Sequence, residues 1–409
     1  MTDLSGLPAG WHWATMGDIS RVVGGSTPKT GESSYWGGDI PWITPDDLSG
    51  FTDKHIERGR RSITKAGYGS CSTQMVPAGT VLFTSRAPIG YVAIAANPLC
   101  TNQGFKSFVC RSDVDSGYVY WYLAGSSEVA RRMASGTTFL ELSGRAAARI
   151  PIPVPPLNTQ RKIVAVVEQQ LTRIDAAARS FNDALAKLRR YRTALLNEVV
   201  PSNAAAFPDH WGSATVGELA TRVQYGTSAK ATDEMRGVPV LRMGNIVDGN
   251  LSTVKLKYLP ADHPEFPELL LHDGDLLFNR TNSPELVGKS AVYRGKPSPC
   301  SFASYLIRVQ LGPDLQPEFL AHALNGPYGR RWITSVVSQQ VGQANVNGSK
   351  LKAFRIPAPP IAEQRRLVEM AESRLSFLED SQAEIRKNLL RAQSLRQAIL
   401  RQAFAGRLA

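Results

Sequence analysis

The sequence predicts an α+β protein in which two tandem globular domains are separated by a long antiparallel coiled-coil helix pair, arranged as a pseudo-two-fold internal repeat. Three features point there: a duplication running the length of the chain, two long segments without Gly or Pro that carry a heptad pattern, and short β-like runs in the remainder. The duplication opens with Trp11, Ala14, Thr15 and Gly17, which recur 200 residues later as Trp211, Ala214, Thr215 and Gly217. VPAGTVLFTSR (Val76 to Arg86) answers LHDGDLLFNR (Leu271 to Arg280), Cys100 is set against Cys300, and Arg131-Arg132 against Arg330-Arg331. The tightest match is IPVPPLNTQRKIV (Ile152 to Val164) with IPAPPIAEQRRLV (Ile356 to Val368), 204 residues apart with the prolines kept.

After each Pro-Pro the pattern becomes helical and stays so until Pro201 and Gly406. In the first copy Val164, Val167, Leu171, Ile174, Ala178, Phe181, Leu185, Leu188, Arg192, Leu195 and Val199 fall at alternating steps of three and four. The second copy places Val368, Ala371, Leu375, Leu378, Gln382, Ile385, Leu389, Ala392, Arg396, Ile399 and Ala403 at matching positions. A sustained 3.5-residue period signals coiled-coil packing. One such helix would most simply lie on its own domain, but two matched stripes each need a partner, and each fits the other. The seam is assigned to Val167, Leu171, Ile174, Phe181, Leu185, Leu188, Leu375, Leu378, Ile385, Leu389 and Ile399, and Arg192 and Arg396 are expected to snorkel from its ends, with fixing of register as the other reading. The remainder, 1–153 and 204–356, carries β-like runs at Val81 to Phe83, Tyr91 to Ala95, Phe105 to Cys110, Leu276 to Phe278 and Tyr305 to Val309, punctuated by turn residues.

Composition narrows the function. The 409 residues carry 47 Lys plus Arg against 35 Asp plus Glu, and the net +12 divides as +2, +4, +3 and +3 over residues 1–153, 154–203, 204–356 and 357–409. The excess fits a polyanionic partner without locating the surface that binds it. Four cysteines (Cys71, Cys100, Cys110, Cys300) without a C-x-x-C or a His pair argue against zinc and against a disulfide framework, and so for a reducing compartment. Neither a signal segment nor an apolar run of membrane-spanning length is seen, so a cytoplasmic protein without a membrane partner is expected.

The catalytic constellations sought are missing from the sequence. SPELVGKS (Ser283 to Ser290) has Ser283 where a phosphate loop needs glycine, and it contains Pro284, so it reads as a turn. The acidic-x-Lys triplet of common metal-dependent nucleases does not occur, and His12, His55, His210, His263, His272 and His322 include no H-E-x-x-H pair. A G-x-S-x-G elbow is missing too, as is the Asn or Asp before Pro-Pro-aromatic that amino-methylation of DNA requires. No catalytic residue, metal site or cofactor is assigned to this chain.

Two variable halves, two near-identical Pro-Pro-aliphatic segments and two matched helices resemble the specificity (S) subunit of Type I restriction-modification systems. The likeness covers the full chain. IPIPVPPLNTQRKI and RIPAPPIAEQRRL carry it most specifically; Glu363-Gln364-Arg365 is typical of the family, and Thr159 departs from it. GGSTPK (Gly24 to Lys29), YWGGDIPWIT (Tyr35 to Thr44) and LFTSR or LLFNR look like segments of its target recognition domains. The resemblance implies target recognition domains at 1–153 and 204–356 and conserved spacer helices at 154–203 and 357–409. It implies a non-catalytic subunit in which each half reads one part of a bipartite double-stranded DNA target, directing adenine methylation or restriction by others. Two methyltransferase (modification) subunits would bring S-adenosylmethionine, and restriction/translocase subunits ATP and Mg. Helices of about 60 Å would bound the gap between half-sites at about 18 base pairs. Two alternatives stand beside this: a related bipartite system whose modification subunit also cuts DNA, and a coiled-coil adaptor that binds no DNA.

Base reading needs forked donors or amides on loops. The candidates in the first half are Arg86, Asn102, Gln103 and Lys106; in the second they are Arg242, Asn245, Asn279, Arg280, Asn282 and Lys289. Each is equally readable as an ordinary turn or surface residue. Arg86 and Arg280 stand out because they recur in matching places. Arg131, Arg132, Arg330 and Arg331 are assigned to phosphate, with helix capping or a carboxylate partner as the plainer role. TTFLELS (Thr137 to Ser143) and QANVN (Gln343 to Asn347) are further stretches that would face DNA or a partner.

Overall fold

The computed structural model describes residues 6–136, 140–340 and 343–408. The chain forms two compact units, Met1–Phe181 with Lys387–Ala409, and Asn182–Arg386. Two long helices, Leu157–Val199 and Ile361–Phe404, each contribute to both units.

In the first unit, strand His12–Thr15 pairs antiparallel with Pro151–Val154 just ahead of Pro155-Pro156. Pro151 and Pro153 lack an N–H, and a two-stranded ribbon has a free edge that tolerates this. A five-stranded sheet runs in the order Ser20–Gly24, Lys106–Cys110, Val81–Phe83, Val92–Ala95, His55–Ile56. A three-stranded sheet joins Arg61–Ile63, Trp36–Ile43 and Cys100–Thr101. Helix Ser116–Gly125 lies between sheet and long helices: Tyr118, Val119 and Leu123 share a core with Phe83 and Phe108, and with Ile163, Val167, Leu171, Ile399, Leu400 and Ala403. The early part of the first long helix thus meets the last turns of the second.

The second unit repeats the plan. Gly212–Thr215 pairs with Arg355–Ala358 ahead of Pro359-Pro360, and the main sheet runs Ala220–Tyr225, Leu306–Leu311, Leu276–Asn279, Ser290–Val292. Its core gathers Phe278, Phe319, Leu320 and Leu324 with Leu195, Leu196 and Val199 of the first long helix and Leu367, Val368, Ala371, Leu375 and Leu378 of the second. Arg192 faces Glu379 at 3.7 Å and Glu198 faces Arg374 at 2.9 Å, so one number rises as the other falls, which is antiparallel packing.

Burial along the helices follows the heptads. Val167, Leu171, Leu375, Leu378 and Ile399 are buried, and Ile174, Phe181, Leu185, Leu188, Ile385 and Leu389 are half-buried. Arg192 does not snorkel. Its side chain is 16% exposed, donates to the Asp248 carbonyl and faces Glu379; burial pulls its pKa below the usual arginine value against the attraction of Asp248 and Glu379. Arg396 is half-exposed, bonded to Asp175 at 2.8 Å and 5.8 Å from the Trp121 ring.

The segment after each Pro-Pro is fixed by a glutamine. Gln160 and Gln364 are 1% and 0% exposed. Gln160 Oε1 accepts from the Asp115 N–H at 2.8 Å, while Nε2 donates to the carbonyls of Pro155 (2.9 Å) and Asp113 (3.3 Å). Gln364 does the same with the Gln316 N–H (2.9 Å), Pro359 (2.8 Å) and Asp314 (2.9 Å). Each glutamine therefore ties the entrance of a long helix to the start of the domain helix packed on it.

Candidate nucleic-acid interface

In the first unit, strand Val81–Phe83 runs on into Thr84, Ser85 and Arg86. The Thr84 hydroxyl accepts from the N–H groups of Gly90 (3.1 Å) and Tyr91 (2.8 Å) and donates to the Pro88 carbonyl (2.7 Å), which closes the loop after Arg86. Ser85 N–H donates to Gly104 O at 2.7 Å, and Leu142 N–H donates to Ser85 O at 2.9 Å, so residues 140–142 run beside this strand end. Arg86, Asn102 and Arg131 line an open cleft of about 730 Å³ together with Thr44, Pro45, Asp46 and Glu141. Glu141 lies 3.6 Å from Arg86 Nη1 and 3.6 Å from Lys106 Nζ, holding two cations at one rim.

The other first-half candidates are placed by turns. Asn102 Oδ1 accepts from Gly104 N–H at 2.8 Å, and exposed Gln103 is hydrogen-bonded to the Thr27 hydroxyl of GGSTPK. That segment lies so close to Cys100–Thr101 that a Cβ on Gly25 would sit 2.2 Å from the carbonyl oxygens of Thr101 and Asn102, hence the glycine. Arg131 and Arg132 are exposed and pair with Glu128 at 3.9 and 3.3 Å. Thr137, Thr138 and Phe139 of TTFLELS lie outside the described residues.

The second unit does not gather its candidates into one cluster. Arg280 stacks over Tyr225 at 4.9 Å and donates to Ser304 O at 3.3 Å. Half-buried Asn282 accepts from Ser283 N–H at 2.9 Å, and Arg242 donates to Lys255 O at 2.9 Å. Lys289 shares a small cleft of about 170 Å³ with Arg192, Glu285 and Arg330. Two candidates face inward. Asn245 is 3% exposed and spends its amide on Arg242 N–H, Ser252 O and Val254 O; Asn279 is 0% exposed with its Nδ2 on Leu286 O. Arg330 caps the carbonyls of Pro284, Glu285 and Val287 in the SPELVG turn, and burial pulls its pKa below the usual arginine value; Arg331 donates to Ser202 O at 3.0 Å.

The backbone register corrects two matches drawn from the letters. Arg280 N–H donates to Tyr305 O and Val346 N–H to Arg280 O, the bonds that Ser85 makes with Gly104 and Leu142 in the first unit. Arg280 is therefore the counterpart of Ser85, and Arg86 that of Thr281; one step along a strand puts the two arginines on opposite faces. Trp42 pairs with Cys100 where Val240 pairs with Ser301, so Cys100 answers Ser301 rather than Cys300.

Reading the letters missed Tyr225 and the structural role of the two glutamines, and it reached Glu141 only as part of the TTFLELS stretch, without singling it out. The glutamines did carry a signal, being identical and 204 residues apart; Glu141 and Tyr225 are placed only by long-range pairing. Among the described residues no group of three or more His, Cys, Asp and Glu is arranged to hold a metal ion, and no helix is long and apolar enough to cross a membrane. Burial raises the Cys100 thiol to about 11 and the Cys300 thiol to about 12, far from a reactive thiolate at neutral pH.

A family model described as Type I restriction modification DNA specificity domain matches residues 8–180 and again 208–389. The Type I restriction enzyme MjaIX specificity subunit of Methanocaldococcus jannaschii is 46% identical over 168 residues, which is 41% of this chain and 39% of that protein. The EcoKI specificity subunit of Escherichia coli K12 is 24% identical over 423 residues, covering 98% of this chain and 90% of its own length. Among solved structures, a chain of a type I R-M system superposes with a TM-score of 0.76 at 21% identity, covering 98% of this chain and 99% of its own. The HsdS subunit from Thermoanaerobacter tengcongensis gives 0.54 at 21% identity, covering 98% of each chain. At these identities the structures show likeness of fold, and the doubled family match, spanning most of the sequence, shows that the chain belongs to the Type I restriction-modification DNA specificity family.

Proposed function

We propose that this chain is the sequence-reading subunit of a Type I restriction-modification complex: each half reads one part of a bipartite duplex target, and partner subunits perform adenine methylation or restriction. The cleft in the first unit carries the reading, because it sets Arg86, Asn102 and Arg131 around a space open to solvent, with Lys106 joined through Glu141. Forked donors and an amide on a loop rim are what major-groove recognition uses. The target recognition domains span 1–153 and 204–356, and the spacer helices 154–203 and 357–409. The chain itself is not a catalyst. Two modification subunits supply S-adenosylmethionine, and restriction subunits supply ATP-driven translocation with Mg.

The test is duplex binding by the full chain with its modification subunits across a salt series. Affinity for the cognate duplex should fall linearly on a log–log plot, with a slope of about −0.9 per phosphate neutralised. Binding that ignores salt, or no duplex binding, would favour the protein adaptor. Cleavage by a two-component complex lacking a separate translocase would favour the related system with a fused nuclease.

A further inference from the structure

We infer that one structural slot sets base preference in both halves, filled by Arg86 and Glu141 in the first and by Thr281 and Asn345 in the second. The inference rests on the reading of this chain as a duplex reader and names where that reading occurs.

The equivalence follows from the backbone. Arg86 and Thr281 each come directly after the residue that accepts from the returning segment, Ser85 from Leu142 and Arg280 from Val346. Glu141 and Asn345 each directly precede those donors. The frame continues past the slot: Ser143 and Asn347 both cap the next short helix, accepting from Ala146 and Lys350 N–H. Two identical frames thus present different side-chain pairs at one place, an Arg with a Glu and a Thr with an Asn.

The chemistry of each pair points to bases rather than phosphates. A site that only held phosphate would gain nothing from a carboxylate, yet Glu141 sits on the cleft wall within 3.6 Å of both Arg86 and Lys106. Arginine donates to guanine O6 and N7, and a carboxylate accepts from cytosine N4, so this pair matches a G·C pair or adjacent G and C. Backbone bonds hold Glu141 in place, since its N–H donates to Ser135 O at 2.9 Å and its carbonyl accepts from Ser135 N–H at 3.1 Å. Ala87, next to Arg86, has φ +50°, a conformation uncommon for a residue with a side chain. In the second half Asn345 spends one amide hydrogen on Thr281 Oγ1 at 2.8 Å. Asn345 is half-buried and Thr281 is 9% exposed; an asparagine amide carries a second N–H and an Oδ1, the donor and acceptor types that fit adenine N6 and N7.

The test selects duplexes from a randomised library with the full chain and its modification subunits. Wild type, E141Q, the exchange R86T/E141N and the reverse exchange T281R/N345E are compared. E141Q should weaken discrimination at one position of one half-site by roughly five- to a hundredfold, leaving the other half-site unchanged. R86T/E141N should change the preferred base there, and T281R/N345E should change one position of the other half-site. Affinity lost evenly over all sequences, with every preference kept, would overturn the slot while leaving the duplex reader standing. A wild-type complex that selects no sequence would overturn the reader itself. E141Q is nearly isosteric, so a folding failure of the double variants would not remove the decisive comparison.

Discussion

The glutamine latch offers a prediction whose size follows from the structure. Gln160→Leu keeps the volume but removes an acceptor and two donors at a site that is 1% exposed. The Asp115 N–H loses its partner at 2.8 Å, and the carbonyls of Pro155 and Asp113 lose donors at 2.9 and 3.3 Å. An orphaned buried N–H costs about 1–3 kcal/mol and each lost net bond about 1 kcal/mol, so the first unit should lose about 3 kcal/mol. Gln364→Leu should cost the second unit a similar amount, through Gln316, Pro359 and Asp314. Global unfolding of a chain with two units need not be two-state, so amide hydrogen exchange is the better assay. Peptides covering 113–119 should lose about a hundredfold in protection in the Gln160 variant while those covering 314–320 stay as they were, and the reverse in the Gln364 variant. Gln160→Glu keeps the acceptor but turns a carboxylate oxygen toward two carbonyls, and it should be no milder than leucine. If both leucine variants exchanged like wild type, the latch would be an ornament and the joint between long helix and domain would be held by apolar packing alone.

Three other outcomes are expected. Arg308 and Asp275, 1% and 4% exposed and 3.5 Å apart, form a buried pair, so Arg308→Met should destabilise the second unit by about 3–5 kcal/mol in denaturant, and R308M/D275L should recover part of the loss. Burial, with Arg192 and Arg294 nearby, pushes the His322 imidazole down to about 4, below its unfolded value near 6.5, so only the unfolded chain takes up this proton as pH falls from 6.5 to 4. Stability should be full above pH 6.5 and fall by about 3 kcal/mol on acidification to pH 4; in His322→Phe this component should vanish from denaturant midpoints taken at several pH values. Inserting one heptad into both long helices adds about 10 Å, or about three base pairs, to the unread gap and leaves both half-sites alone; methylome sequencing of a host carrying the variant would refute the ruler by finding a changed half-site.

What could be read from the letters was whatever repeats with a period. The long helices begin at Leu157 and Ile361, directly after Pro-Pro, because proline sits readily at a helix entrance and the heptads continue without a breaker. The short strands were visible as apolar runs, Val81–Phe83 and Leu276–Asn279 among them. The site was less legible for a physical reason. Matching LFTSR to LLFNR by their arginines is off by one, and in a strand one step exchanges the faces, so the error turned a rim residue into the partner of one that stacks on Tyr225. Asn245 and Asn279 had the composition of reading residues, but an amide serves a buried turn as well as it serves adenine, and only long-range packing decides which. Glu141 stood out from the rest of TTFLELS by no sign in one dimension, since its partners are 55 and 35 residues away.

The two copies divide their residues by what a change would cost. Gly25 and Gly226 both lie where a Cβ would come within 2.2 Å of a carbonyl oxygen, Gly17 and Gly217 where it would come within 3.2 Å of the facing residue, and Gln160 and Gln364, themselves buried, each satisfy three backbone groups. A substitution at Gly25, Gly226 or either glutamine must move backbone or orphan a polar group, a loss of kcal/mol size in a molecule whose stability margin is small, while at Gly17 and Gly217 the facing residue must give by a few tenths of an ångström. At the cleft rim, by contrast, Arg86 and Glu141 are partly exposed, and replacing such residues ordinarily shifts stability by less than about 0.5 kcal/mol. If the rim does the reading proposed for it, a frame that is costly to alter and a rim that is cheap to alter would together let one fold change what it reads without being rebuilt. The frame residues coincide between the halves, while at the slot Arg86 and Glu141 stand where Thr281, 9% exposed, and half-buried Asn345 stand in the other half.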